Sequence, residues 1–293
     1  VGKTTTTPHD TGSGPDAGSG GRFGRALRSP LGWMLTGIVG VGLVSALTAT
    51  GPGPVPVLGA VVALAVYWAV MRRVAGRPVP ELARRGAGRE VLLGGGIGLA
   101  FVLVSALLIT VFGGYSFSWA GNGFLPVVAS AVAVQAGAAV TEELMFRGLA
   151  LQALEQLWGS RVAVTVTGLI FGAAHLIAPG ADAWSALAIA LEAGVMLGAA
   201  FLWRRSIWFV VGLHFAWNLA EQLLGIPVSG HTPEGLFTVD VHGSALLTGG
   251  GFGLETSIVP VVIGVLLALR MFSLARRSGG FRPGRRAAAE TRG

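Results

Sequence analysis

From about residue 30 to residue 273 the chain is a succession of long apolar runs separated by short polar or Gly/Pro-rich breaks. The runs follow neither the period of two of a half-buried strand nor the one-sided stripe of an amphipathic helix. Runs of about 20 apolar residues match the hydrocarbon thickness of a bilayer, so each predicts a transmembrane helix. The runs cover Leu31–Ala49, Val55–Met71, Val91–Phe112, a fourth from Phe124 past Glu142, Val162–Ile177, Trp184–Trp203, Ile207–Leu224 and Ser257–Phe272. The fold class this predicts is all-α: a polytopic membrane protein of about eight transmembrane helices. Residues 1–29 are polar and rich in Gly, Ser and Thr, and read as a disordered cytoplasmic tail. Residues 30–123 form the first group of helices, residues 124–273 a second, and residues 274–293 a basic tail.

Composition sharpens this picture. Only 12% of residues are charged, against roughly 25% in a soluble domain, and the mean hydropathy is +0.69. A water-facing globule cannot be covered with so little polar surface. The 47 glycines fit the close helix approaches of a membrane bundle. The absence of cysteine excludes disulfides and thiolate-held metals.

The net charge of +7 is a matter of topology, not of nucleic-acid binding, because the arginines sit between the apolar runs. Arg22, Arg25 and Arg28 precede the first run. Arg72, Arg73, Arg77, Arg84, Arg85 and Arg89 follow the second, Arg161 the fourth, and Arg204 and Arg205 the sixth. Arg270, Arg276, Arg277, Arg282, Arg285 and Arg286 lie at or beyond the end of the eighth. The alternate linkers, residues 50–54, 113–123, 178–183 and 225–256, hold no Lys or Arg. The positive-inside rule then places both termini in the cytoplasm, in a multi-pass protein of the plasma membrane. The long Gly-rich linker 225–256, with His231, Glu234, Asp240 and His242, is expected outside, as a lid or partner surface. No internal repeat is present.

Ionisable groups within a bilayer cost roughly 2.5–3.5 kcal/mol each at a helix centre, so those present need a reason. Thr141-Glu142-Glu143-Leu144-Met145-Phe146-Arg147 lies in the fourth run. Glu143 and Arg147 are four apart and share a helix face, so they can pair. Glu142 points about 100° away and stays free. An ordinary ion pair at a helix end is the plainer alternative. The fifth run carries Phe171-Gly172-Ala173-Ala174-His175, and a lone His is more often a hydrogen-bonded core residue than a catalyst. The seventh carries His214-Phe215-Ala216-Trp217-Asn218, where His214 and Asn218 share a face as catalytic donors or as interhelical glue. Glu192 suggests no role beyond packing or a hydrogen bond, and Glu221 is expected at the interface.

Together the motifs read E-E-x-x-x-R, F-x-x-x-H and H-x-x-x-N. In this order the chain resembles the CPBP family of intramembrane proteases, also called the Abi or type II CAAX prenyl endopeptidase family, over about Phe124–Phe272. The resemblance implies that Glu142 and His175 activate a water for attack on a peptide carbonyl. It implies that His214 and Asn218 bind the oxyanion, and that Glu143 and Arg147 orient the site. The partner would be a peptide or a membrane-protein substrate, prenylated or not, with the bilayer as surroundings and no nucleic acid.

The family is commonly labelled a metalloprotease. Glu142, His175 and His214 match a His₂Glu zinc set, but not the spacing of H-E-x-x-H, where both His share one helix. A metal-free glutamate mechanism uses every motif residue, so no cofactor is favoured and zinc is the alternative. A non-catalytic membrane protein, such as a transporter or an immunity or scaffold protein, is the competing reading, because buried Glu and His also mark ion pathways. Depth adds one more expectation. His175 lies 14 residues (175 − 161) beyond Arg161, about 21 Å at 1.5 Å per residue. Glu142 meets it only if the fourth helix is unusually long or broken and continues through Leu144–Trp158.

Overall fold

The computed structural model describes Gly2 and residues 18–284. Most of the predicted N-terminal tail, and the end of the basic C-terminal one, lie outside the described residues. The part of the N-terminal tail that is described departs from the expectation of disorder: α1 is a helix over Gly18–Arg28. Arg25 and Arg28 stand in its last turn, where cations favour the negative end of the helix dipole.

The predicted spans follow in order. They are α2 (Pro30–Thr48), α3 (Val55–Val74), α4 (Ala87–Val111), α5 (Phe124–Trp158), α6 (Ser160–Ile177), α7 (Ala183–Arg204), α8 (Ile207–Leu223) and α9 (Ile258–Arg277). Seven of them are long and apolar enough to cross a bilayer. The other, α8, has 17 residues, at the short end of what a bilayer requires. Side chains start several of these helices. Ser29 accepts from the Gly32 amide ahead of Pro30, and Ser206 and Ser257 cap α8 and α9.

α5 is the long helix that the depth argument requires. It runs 35 residues without a break in the chain, about 52 Å at helical rise. It changes to a wider π-type turn at Leu144–Leu151, directly after Glu143. A second π turn occupies Ala190–Val195 in α7. Such turns are common at functional sites.

α8, which carries His214, is pressed against α4 by a seam of glycines. A methyl group on Gly94 would strike the Phe209 carbonyl, one on Gly98 the Leu213 carbonyl, and one on Gly212 the Val91 carbonyl. Backbone cannot yield as a side chain can, so only glycine permits this approach. Gly98→Ala is therefore expected to cost about 1–3 kcal/mol and to displace the backbone next to His214. Thermal unfolding in detergent, with peptide cleavage measured alongside, checks this; an unchanged midpoint would refute the tight seam.

The two ends of the bundle differ in chemistry. At one end the arginine-bearing linkers are tied together. Arg205 forks onto Glu155 of α5 with both nitrogens at 2.7 Å, Arg282 approaches the same carboxylate at 3.9 Å, and Arg204 pairs with Glu90. Arg77 bonds to Glu81 and to Gln152, and Tyr67 donates to the same Glu81. Burial alone would raise the Glu81 carboxyl. The Arg77 hydrogen bonds and charge, helped by Tyr67, outweigh it and hold Glu81 below its ordinary value. A depressed folded pKa gives stability that is complete above the unfolded value of about 4.3 and is lost as pH falls through the folded one. Stability is thus expected to drop on acidification below about pH 4.3. Glu81→Gln should flatten that part of the pH–stability curve, and an unchanged curve in the variant would count against the cluster.

The opposite end holds a feature absent from the all-α expectation. β1 (Tyr115–Trp119) pairs antiparallel with β2 (Phe237–Val241), with Tyr115 opposite Val241 and Trp119 opposite Phe237. Asn122 donates to the Gly235 carbonyl, and the Trp184 indole to Thr256. The linker 225–256 is therefore a folded element and not a loose loop. Two of its turns depend on glycine: Gly230 (φ 79°) packs on the Pro179 carbonyl and Gly253 (φ 120°) on that of Pro227.

Candidate active site

Glu142 and Glu143 occupy the last α-helical turn of α5 before its π segment. Their 100° offset separates them as predicted. The Glu143 side chain is fully buried, whereas that of Glu142 is 31% exposed.

Glu143 is the hub of a buried network. Its Oε1 accepts from Arg147 Nη1 at 2.8 Å and lies 2.9 Å from His214 Nδ1. Arg147 Nη2 donates to the carbonyls of Ala193 and Gly194 at 2.9 and 3.2 Å, in the π turn of α7. Its guanidinium also lies over the Phe171 ring, 4.9 Å from the centroid. One buried ion pair thus fastens α5 to α6, α7 and α8. The predicted pairing of Glu143 with Arg147 is present, but deep in the bundle and not at a helix end.

The same contacts fix the imidazoles. A carboxylate only accepts, so Nδ1 of His214 carries the proton given to Glu143. Its Nε2 then faces Glu142, 4.0 Å from Oε2. His175 stands in a 3₁₀ turn at the end of α6, and its Nδ1 lies 2.8 Å from the Phe171 carbonyl. A carbonyl also only accepts, which leaves the His175 Nε2 lone pair free. Asn218, one turn beyond His214 on α8, is buried.

These four residues meet at one cavity. Glu142, His175, His214 and Asn218 line a space of about 20 Å³ together with Ser229 and Glu255. About 10–15 Å³ on this measure holds a single water. A groove of about 590 Å³ adjoins the cavity and shares Glu142, His175, Asn218 and Ser229 with it. It runs between α5 and α6 past Val134, Ala138, Met145 and Phe146, and its walls are mainly apolar.

Ser229 and Glu255 belong to no motif in the sequence. Glu255 stands in a short turn, Leu254–Thr256, immediately before α9. Its carboxylate accepts from the Ser229 amide at 2.6 Å and the Ser229 hydroxyl at 3.0 Å. Burial pushes the Glu255 carboxyl up, against the downward pull of His175 and the Ser229 donors. Ser229 itself is held at φ 48°, in the left-handed region that favours glycine.

Two further acids differ from expectation. Glu221 is fully buried, not interfacial, and accepts from the Trp217 indole at 3.0 Å. The linker folds back over the end of α8 to cover it, through Leu236 N donating to Leu223 O and Gln222 to Glu234 O. Glu192 is also fully buried in the π turn of α7, and neither of its oxygens has a hydrogen-bond partner among the described residues.

The zinc set of Glu142, His175 and His214 does not fit as placed. Among the described residues, no three of His, Cys, Asp and Glu come together closely enough to hold a metal ion.

Comparison with known proteins comes to the same part of the chain. The family of type II CAAX prenyl endopeptidases, Rce1-like, matches residues 124–220, from the start of α5 to near the end of α8. That segment contains all seven motif residues. No curated protein and no solved structure matches the chain.

Proposed function

We propose, from the match of residues 124–220 to the Rce1-like family of type II CAAX prenyl endopeptidases, that this chain is a membrane protease that hydrolyses a peptide bond with a water activated by Glu142 and His175. The observation that carries the reading is the cavity: room for about one water, walled by Glu142, His175, His214 and Asn218. A bilayer offers no bulk water, so an enzyme acting there must keep its own.

The steps follow from the atoms available. The water lies between the Glu142 carboxylate and His175 Nε2, and its oxygen attacks the scissile carbonyl as Glu142 takes its proton. The oxygen of the tetrahedral intermediate faces Asn218 Nδ2 and His214 Nε2. For both His214 nitrogens to donate, the ring must be an imidazolium, whose charge Glu143 at 2.9 Å and Glu142 at 4.0 Å balance. Preset donors of this kind are worth about 2.7–4 kcal/mol each. On collapse the C–N bond breaks and Glu142 returns its proton to the leaving amine. The apolar groove beside the cavity receives the substrate chain. CAAX-like tails are the substrates the family name suggests, and an apolar wall would accommodate a lipidated or plain hydrophobic segment.

Purified protein is expected to cleave members of a peptide library equally well with and without a strong chelator, and to carry no stoichiometric metal. Bound zinc with chelator-sensitive cleavage would overturn the metal-free mechanism and return Glu142, His175 and His214 to the role of ligands.

A further inference from the structure

On the protease reading above, we infer that Ser229, held in place by Glu255, is a substrate-binding residue: its hydroxyl accepts a hydrogen bond from a backbone amide of an extended peptide in the groove.

Ser229 stands where the two spaces of the site join. Among the described residues, the polar side chains that line both the water-sized cavity and the apolar groove are those of Glu142, His175, Asn218 and Ser229. The first three have parts in the proposed reaction: Glu142 and His175 hold the water, and Asn218 faces the oxyanion. Ser229 is left without one, at the point where the substrate chain passes from the groove to the water.

Its backbone is unusual for a serine. Val228 and His231 exchange both of their backbone hydrogen bonds, which makes Ser229 and Gly230 the two central residues of a tight turn. Both have positive φ, 48° and 79°. Turns of this type favour Asn, Asp or Gly at the first central position, and a glycine would take it without strain. The serine is held there by one carboxylate. Glu255 Oε2 accepts from the Ser229 amide at 2.6 Å and Oε1 from its hydroxyl at 3.0 Å. Glu255 is itself 5% exposed. Strained residues fixed in this way by their surroundings cluster at ligand clamps.

The hydroxyl has a defined chemistry in this position. Its hydrogen goes to Glu255, so only lone pairs remain and Oγ can only accept. In a helix the N–H groups of a substrate are paired within its own chain. A peptide bond laid open for attack has lost that pairing, and an N–H left free among apolar walls is penalised. Ser229 Oγ supplies the missing acceptor at the edge of the cavity, as Asn218 supplies a donor for the carbonyl.

The test uses the full chain in detergent, a library peptide that the native sequence cleaves, and copies of that peptide N-methylated at one backbone amide at a time. Ser229→Gly relieves the strain and Ser229→Ala keeps the Cβ, and both remove the hydroxyl. Both variants are expected to unfold no earlier than the native sequence, yet to lose about 10–100-fold in kcat/KM, the range for leaving a buried donor unpaired. The loss should be carried mainly by KM. One N-methylated peptide should lose a similar factor with the native sequence and little more with either variant, because the bond it lacks is already gone there. Glu255→Gln should raise KM in the native background and add little to Ser229→Gly. A native KM in both variants, or N-methyl losses identical in native and variant proteins at every amide, would make Ser229 structural and overturn the inference. An effect of Glu255→Gln that is equally large in Ser229→Gly would overturn its role in holding the serine. If the native sequence cleaves no peptide, the protease reading fails and this contact with it, whereas a cleaving protein indifferent to Ser229 leaves that reading intact.

Discussion

Glu142→Gln is expected to lower peptide cleavage about 10²–10⁴-fold, the range for loss of a general base, with the thermal unfolding midpoint nearly unchanged. The two halves of this expectation come from the same geometry. Glu142 lines the water-sized cavity but makes no hydrogen bond among the described residues, and its side chain is 31% exposed. Replacing a carboxylate by an amide of equal size removes the base without opening a void. It also removes one of the two negative charges beside His214, which weakens the oxyanion donor. Rates measured in detergent beside the unfolding curve decide the matter. Full activity in the variant would sink the proposed mechanism, whereas lost activity with lost stability would show that Glu142 is structural.

Glu143→Ala should behave in the opposite way and destabilise the fold by about 3–5 kcal/mol, the cost of leaving one partner of a buried ion pair uncompensated. Arg147 would then stand 2% exposed inside the bundle with only the Ala193 and Gly194 carbonyls as hydrogen-bond partners. A double change, Glu143→Leu with Arg147→Met, removes both charges at similar volume. It should recover much of the stability, since a buried pair is often replaceable by apolar side chains. Cleavage should not return, because His214 Nδ1 loses the acceptor that aims Nε2 at the cavity. Thermal unfolding and cleavage of Glu143→Leu, Arg147→Met and the double variant form a cycle that separates stability from orientation. A double variant as active as the native sequence would show that Glu143 does not position His214.

The membrane character of the chain, the order and approximate bounds of its spans, and the pairing of Glu143 with Arg147 could all be read from the sequence. They depend on local properties: run length against bilayer thickness, and the 3.6-residue period that puts residues four apart on one face. The length of α5 was also legible, because Glu142 and His175 could not meet at any other depth. The β1–β2 ribbon had a signal, the alternation of aromatic and hydroxyl side chains in Tyr115-Ser116-Phe117-Ser118-Trp119. Nothing local pointed to a strand 118 residues (237 − 119) away as its partner. Likewise Glu221 read as interfacial because its sequence position lies at a helix end, and only the linker folding over α8 buries it.

What the tertiary structure alone decided is which groups from distant segments share the water-sized cavity. His214 reaches Glu143 across 71 residues, and Glu255 enters beside His175 from a glycine-rich turn that carries no motif. Contacts of this kind are set by helix packing, here by a glycine seam that lets α8 approach α4 and by an arginine that fastens four helices. Sequence determines the faces that can meet, because a helix repeats at a fixed period. It does not reveal which faces do meet, because that depends on the summed packing of every helix in the bundle.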